Sequence, residues 1–279
     1  MDLVDGLHVL QVGLGNHEVN VDSCFSKSPI AQQSSWPGPT ASNTYGDDSG
    51  GEGGLTTYVR YRAPSNGQGV LWYSFDAGNV HYTMFSSEHS YLPGSPQHAF
   101  LAADLLGVDR SKTPWLIVCV EPLRGVGLSL ASGPFSPLCP PPRLPPPSRS
   151  AMHRPMYNSR DDGDWSINVG MAAALEPLFL EAKVDLVMSG HYHNYLRTTS
   201  MRNFTVDPTG ASPVYITVGT GGATYHEEAY RNDSLSWTAA GYAEWGFGLV
   251  ETFNSSALRF TFRSNVLGGA VRDEAWIRR

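Results

Sequence analysis

Three short runs constrain this 279-residue chain more than anything else in it. Pro114-Trp115-Leu116-Ile117-Val118 is continuously apolar, and Val184-Asp185-Leu186-Val187-Met188 is apolar apart from its aspartate. Unbroken apolar runs of that length suit strands covered on both faces, the usual condition of a parallel sheet. Between them Met171, Leu175, Leu178, Phe179 and Ala182 fall at i, i+4, i+7, i+8 and i+11, one stripe of an amphipathic helix. Pro177 inside that stripe predicts a kink, or a restart with proline at the first helical position. Strand, helix and strand in this order make a crossover unit, because parallel neighbours cannot be joined by a tight hairpin.

Other elements arrange themselves around that unit. Residues 70–75 and 80–85 flank Asp76-Ala77-Gly78-Asn79, a hairpin pattern with glycine in the turn. Residues 96–107 read as a helix with Phe100, Leu101 and Leu105 apolar, and residues 56–61 are β-rich. The tail predicts strands over 214–218, 247–253 and 258–262. Residues 26–54 are rich in Ser, Gly and Pro and read as a long loop. Residues 119–152 do not fit. Their prolines, above all Cys139-Pro140-Pro141-Pro142-Arg143-Leu144-Pro145-Pro146-Pro147, preclude helix and central strand. An extended, solvated insertion is expected there, where a short connection is normal. Leu116-Ile117-Val118 and Met152-His153-Arg154 would join smoothly without it. It therefore reads as retained untranslated sequence or, failing that, as a long surface loop, whose closure entropy grows only slowly with length.

Composition narrows the function. Net charge is −7 and the isoelectric point is near 5.7, which argues against nucleic acid or an anionic membrane as the main partner. No apolar run reaches the ~18 residues of a membrane span. The acidic start, Met1-Asp2-Leu3-Val4-Asp5, is not a secretory signal. Cys24, Cys119 and Cys139 are too few and too irregular for a disulfide framework or a zinc ribbon; unpaired thiols are favoured over one disulfide. Asn203, Asn232 and Asn254 each begin a glycosylation sequon, which favours a secretory history.

Histidines carry the chemistry. Gly190-His191-Tyr192-His193 follows directly on the run 184–188. The carboxyl end of a strand is where open α/β sheets place ligands, and neutral imidazole is a common ligand of Zn²⁺ and iron. Gly15-Asn16-His17-Glu18 sets an amide oxygen, an imidazole and a carboxylate side by side, although most Gly-Asn pairs are polar turns. His153, before Arg154-Pro155-Met156-Tyr157, gains weight only from the apolar run upstream and from the other histidine clusters. Asn16, His153, His191 and His193 form a neutral donor set. A two-metal hydrolytic site ordinarily adds carboxylates.

The ordered series Gly15-Asn16-His17-Glu18, Ser86-Ser87-Glu88-His89, Gly94-Ser95-Pro96-Gln97, residues 113–118, His153-Arg154-Pro155-Met156-Tyr157-Asn158-Ser159 and Gly190-His191-Tyr192-His193-Asn194-Tyr195 resembles the purple acid phosphatases, calcineurin-like metallophosphoesterases. Val214-Tyr215-Ile216-Thr217-Val218-Gly219-Thr220-Gly221-Gly222 resembles the C-terminal segment of that family. The resemblance runs from about Val12 to Trp276, the insertion excepted. It implies an α/β fold, a metallophosphoesterase-type β-sandwich flanked by helices and incomplete at the N-terminus. Residues 1–205 would be a partial calcineurin-like domain, interrupted by 119–152, with 206–279 a C-terminal segment packed on the same domain. It further implies hydrolysis of small-molecule phosphate monoesters at acid pH by Fe(III) with Zn, Mn or Fe(II), a secreted or vacuolar location, and leaves a homodimer open. Asn16, His153 and His191 would hold the divalent ion and His193 the ferric ion. His17 would protonate the leaving oxygen, and His89 would line the substrate pocket.

The Asp-x-Gly and Gly-Asp-x-x-Tyr motifs of the family, which bring acidic ligands and a tyrosinate, do not precede Gly15 in this sequence. Truncation at the N-terminus is the corresponding expectation, with little or no turnover from these 279 residues alone. Two other readings stay open: a degenerate member that binds a single divalent metal or a phosphorylated ligand without turnover, and a β-rich secreted binding module with incidental histidines.

Overall fold

A computed structural model of the chain describes residues 63–64, 66–87, 89–120, 154–159, 165–222 and 236–279. Asn16, His17, His153 and Asn232 lie outside the described residues, as do the stretches 26–54, 56–61 and 121–152 and the thiols Cys24 and Cys139.

Among the described residues the chain forms two sheets. The larger runs β1 (Tyr73–Ala77), β2 (Val80–Phe85), β3 (Trp115–Val120), β4 (Leu186–Ser189), β7 (Val214–Val218), β5 (Tyr195–Arg202) and β6 (Thr205–Val206) in spatial order, with β8 (Thr238–Tyr242) also on β5. β2, β3, β4 and β7 are mutually parallel. The smaller sheet is antiparallel, β11 (Ala270–Arg278), β10 (Ala257–Ser264) and β9 (Gly246–Thr252). Two helices, α1 (Pro96–Gly107) and α2 (Trp165–Glu181), supply the crossovers to β3 and β4. The expected α/β fold, a β-sandwich flanked by helices, is what forms.

Alternation along β3 shows why its sequence is apolar throughout. Leu116, Val118 and Val120 join a core with Leu101 and Leu105 of α1 and Met171, Leu175 and Phe179 of α2. Trp115 and Ile117 point the other way, into a second core with Leu258, Phe260 and Phe262 of β10. β3 is thus sandwiched between helices and the second sheet, and an uninterrupted apolar run satisfies both faces. Its last two residues, Cys119 and Val120, were assigned by sequence to the insertion; they continue the strand. Cys119 is free and partly buried, and burial pushes its thiol up to about 12, an unreactive state.

The hairpin forms as expected. Ala77 pairs with Val80 across a two-residue turn, and Gly78 takes a φ of 61° that a side chain would resist. α2 departs from expectation. It begins six residues before Met171 and runs through Pro177 without a restart. Pro177 is on the exposed side, as is Ala173, whose carbonyl the missing amide would have bonded, so water can satisfy that group. The helix then ends on a left-handed lysine. Lys183 has φ 54°, while Val184 N–H donates to the Phe179 carbonyl and Lys183 N–H to the Leu180 carbonyl, a Schellman closure without glycine.

β5, β8 and β11 were not anticipated. β5 carries Arg197 and several hydroxyl residues, yet it lies between β7 and β8. A bulge between Phe262 and Arg263 of β10 shifts the register of β11. Asp273 there accepts hydrogen bonds from Tyr195 Oη at 2.6 Å and from Arg197 Nε and Nη2 at 2.6 and 2.9 Å. That pairing allows a charged strand to enter the sheet interior, and it fastens the two sheets together.

Candidate functional site

Register across the parallel strands creates one edge. Phe85 pairs with Val120, Val120 with Ser189, and Ser189 with Thr217, so four carboxyl ends stop in a single row. Among the described residues, the chain segments leaving that row are Ser86-Ser87 and His89 after β2, Gly190-His191-Tyr192-His193 after β4, and Gly219-Thr220 after β7. This is the edge at which doubly wound sheets collect ligands.

The turn after β4 has an unusual backbone. Tyr192 N–H donates to the Gly190 carbonyl at 2.9 Å, and Asn194 N–H donates to the Tyr192 carbonyl at 2.7 Å. Two three-residue turns therefore follow each other, with His191 at the apex of the first and His193 at the apex of the second. His191 has φ 70°, the strained form of such a turn. A non-glycine residue there costs on the order of 1–3 kcal/mol, which its surroundings must over-determine. Gly219 explains how. It donates its N–H to the Asn194 carbonyl at 3.1 Å, and a Cβ on it would lie 1.8 Å from the Tyr192 carbonyl oxygen. The turn sits directly on the end of β7, a fit that only glycine allows. His191 and His193 are both buried, and the His191 ring meets Tyr192 edge to face at 4.8 Å.

β2 contributes the second segment. Gln97, in the first turn of α1, donates Nε2 to the carbonyls of Ser86 and His89, and its Oε1 accepts from Ser86 N–H at 2.8 Å. One buried amide thus holds the loop in which His89 sits. The Nδ1 of His89 lies 2.8 Å from Ser86 Oγ, and its ring meets Trp72 edge-on at 5.8 Å. Its Nε2 is buried and makes no hydrogen bond among the described residues. Burial lowers His89 to about 4, so the ring is neutral across most of the acid range.

Residues after His153 return to the same edge. Arg154 is 2% exposed and donates its backbone N–H to Ser87 Oγ at 3.2 Å. Three residues on, Tyr157 Oη donates to Glu176 of α2 at 2.6 Å, and its ring meets Phe204, Tyr215 and Trp237. Glu176 also accepts from Tyr215 Oη and from Asn203 N–H. That buried carboxylate holds the Asn203-Phe204 turn, in which both residues have positive φ. Arg154 and Tyr157 thus fix the described residues after His153 against the exit of β2 and against α2.

Of the residues singled out by sequence, His191 and His193 come together in one turn. His89 stands at the end of β2, two strands away in sheet order. Asn16, His17 and His153 fall outside the described residues. As donors for a metal, two buried imidazoles at neighbouring apices fit in kind. Among the described residues no third His, Cys, Asp or Glu joins them in a group that could hold an ion. Sequence reasoning missed Gln97 and Gly219 as positioning residues; the signal for the second was a glycine at the exit of a buried β run. The sequons at Asn203 and Asn254 lie on exposed turns, the latter with Oδ1 accepting from Ser256 N–H and Oγ. No helix among the described residues is long and apolar enough to cross a membrane.

Known proteins agree with this architecture. Residues 212–274, from just before β7 into β11, match the family "Iron/zinc purple acid phosphatase-like protein C". Purple acid phosphatase 18 of Arabidopsis thaliana is 32% identical over 227 residues, covering 78% of this chain and 43% of the relative. Probable inactive purple acid phosphatase 9 of the same plant is 31% identical over 224 residues, 76% of this chain and 28% of that protein. The purple acid phosphatase from yellow lupin (Lupinus luteus) seeds superposes with a TM-score of 0.66 at 25% identity, over 96% of this chain and 40% of its own. The chain thus spans less than half the length of each of these relatives. Sheet order, the row of carboxyl ends and the relatives agree: the chain is homologous to purple acid phosphatases of the metallophosphoesterase superfamily and carries their C-terminal segment at residues 212–274.

Proposed function

We propose that this protein is a phosphate monoester hydrolase of the purple acid phosphatase type, working on small phosphate esters at acid pH. One observation carries the reading: the paired turn that buries His191 and His193 at the carboxyl edge of the parallel strands, held there at a cost in backbone strain. On this reading Asn16, His153 and His191 hold a divalent ion, Zn, Mn or Fe(II), and His193 holds Fe(III). When bound, such a pair neutralises phosphate charge, acidifies a water and aligns in-line attack.

The chain's own residues have distinct tasks. His191 and His193 present imidazole nitrogens from a backbone that cannot relax, because Gly219 lies against the Tyr192 carbonyl. His89, neutral above about pH 4, offers its buried Nε2 to the ester. His17 delivers a proton to the leaving oxygen. Residues 1–205 belong to the catalytic domain and 206–279 to a C-terminal segment of it; the dividing point falls within β6, so both parts share one sheet. The exposed sequons at Asn203 and Asn254 accord with a secreted or vacuolar protein.

The 279 residues do not contain the acidic motifs ahead of Gly15, so turnover by this chain alone is impaired on this reading. A second reading, a member that binds one divalent ion or a phosphorylated ligand without turnover, is favoured by relatives named inactive. The test measures Zn²⁺ and Mn²⁺ stoichiometry and aryl phosphate hydrolysis on the chain and on His191→Ala/His193→Ala. One ion per molecule, lost at least about tenfold in affinity with the double variant, supports the site. Strong turnover with stoichiometric iron breaks the impairment. Metal content indifferent to both histidines breaks the whole reading.

A further inference from the structure

Back from that edge along β2, the helix-facing side of the β1–β2 hairpin is polar where apolar residues would be expected. Ser74 pairs with Thr83 across the strands, and Asp76 pairs with His81. α1 lays Asp104 onto this patch. Its Oδ1 accepts from Ser74 Oγ at 2.5 Å, and its Oδ2 accepts from Thr83 Oγ1 at 2.7 Å. Asn66 Nδ2 donates to Ser74 Oγ and completes the chain of contacts.

His81 lies between two carboxylates. Its Nδ1 is 2.6 Å from Asp76 Oδ1 and its Nε2 is 3.1 Å from Asp104 Oδ2. A neutral imidazole donates from one nitrogen only and would aim a lone pair at the other carboxylate. Only the imidazolium, with a proton on each nitrogen, donates to both. We propose that His81 is a protonated clasp between Asp76 and Asp104, fastening α1 to the β1–β2 hairpin in acid and loosening as pH rises.

The facing groups are consistent with that charge. β1 presents Asp76, α1 presents Asp104, and the β3 residue in register with His81 is Leu116, which is apolar. Burial alone would depress His81; the hydrogen bonds and charges of Asp104 and Asp76 outweigh it and leave the group raised. Asp104 runs the other way: burial raises it, and the bonds from His81, Ser74 and Thr83 more than compensate and lower it. A raised histidine adds stability in full below about pH 6.5 and loses it as pH climbs through its folded value. A lowered carboxylate adds stability above about pH 4 and loses it below. The clasp is therefore tightest between those limits.

Its reach extends beyond the hairpin, because α1 also carries Gln97, which holds the loop of Ser86 and His89. Loosening one end of α1 above neutral pH would free the other to shift that loop.

The experiment is a histidine ring titration of the full chain by NMR, with the signal assigned by its loss in His81→Gln. The His81 midpoint should stand above 6.5, with both ring nitrogens protonated at pH 6.5. Between pH 5.5 and 8.5 the melting temperature of the wild type should fall by about 2–4 °C more than that of His81→Gln. Asp76 is exposed, so Asp76→Asn should fold even where His81→Gln does not, and it should move the midpoint down toward 6.5. A midpoint at or below 6.5, a midpoint unmoved in Asp76→Asn, or matching melting profiles for wild type and His81→Gln each overturn the clasp.

Discussion

The two ends of β4 are built on opposite terms. At its amino end, Asp185 is buried and fully engaged by its own chain. Leu116 N–H donates to Oδ2 at 2.8 Å, Arg279 Nε to Oδ1 at 2.7 Å, and Arg110 Nη2 to Oδ2 at 3.3 Å. Burial raises this carboxyl, and the amide and the two guanidinium groups pull it back without cancelling the shift. At the carboxyl end the same strand runs into a strained histidine at φ 70°. One end spends its polar groups on holding β3, β4 and the chain's last residue together. The other keeps imidazoles in a geometry the backbone resists. Four residues of strand separate a stabilising device from a candidate site, and a glycine on the next strand makes the second tolerable.

That contrast can be tested from its strongest side first. Asp185→Ala should cost about 3–5 kcal/mol in urea unfolding, since it takes the buried carboxylate from the Leu116 amide and from both guanidinium groups, which keep only carbonyl partners at Lys183 and Pro114. Divalent metal binding per folded molecule should stay unchanged; a loss there would show that the two ends are not separable. Gly219→Ala should cost about 2–3 kcal/mol, because its Cβ meets the Tyr192 carbonyl. In that variant metal affinity should fall together with stability, and a variant that binds normally would remove Gly219 from the positioning of the turn.

Acid should expose the other histidine of the same edge. His89 stands at about 4 when folded, against about 6.5 when unfolded, so the unfolded chain takes up a proton that the folded one refuses. Stability should therefore fall as pH drops from about 6.5 to 4, by up to about 1.4 kcal/mol per unit from this group. His89→Gln should flatten that slope, which denaturant melts at several pH values would reveal. The smallest effect belongs to the strained turn. His191→Asn keeps a polar residue that tolerates positive φ, and should change stability by less than about 1 kcal/mol while lowering metal affinity. A large stability loss would show that the histidine serves the core and not a ligand.

Much of the core unit was legible because its signals are local. α1 was readable from its bounding Pro96 and Gly107, and β3 and β4 from apolar runs that only two-sided burial explains. The family resemblance rested on ordered motifs, and the turn after β4 was among them. β5 was hidden because Arg197 and its hydroxyl neighbours look like a surface segment until Asp273, seventy-six residues later, neutralises the guanidinium. α2 reads from sequence as kinked or restarted at its proline, whereas exposure at Pro177 and Ala173 lets water stand in for the missing bond and the helix runs through. Gln97 and Glu176 gave no sign of being buried anchors.

By itself the sequence determined where the apolar runs lie, which periods they follow and that His191 and His193 come directly after one of them, since those depend on neighbours along the chain. Only the tertiary structure decided that Phe85, Val120, Ser189 and Thr217 end in one row, that Gly219 lies under the Tyr192 carbonyl, and that Asp76 and Asp104 close on His81. Those are contacts between residues far apart in sequence. Each exists because packing both faces of the sheet leaves its strands one register and its helices one place to lie.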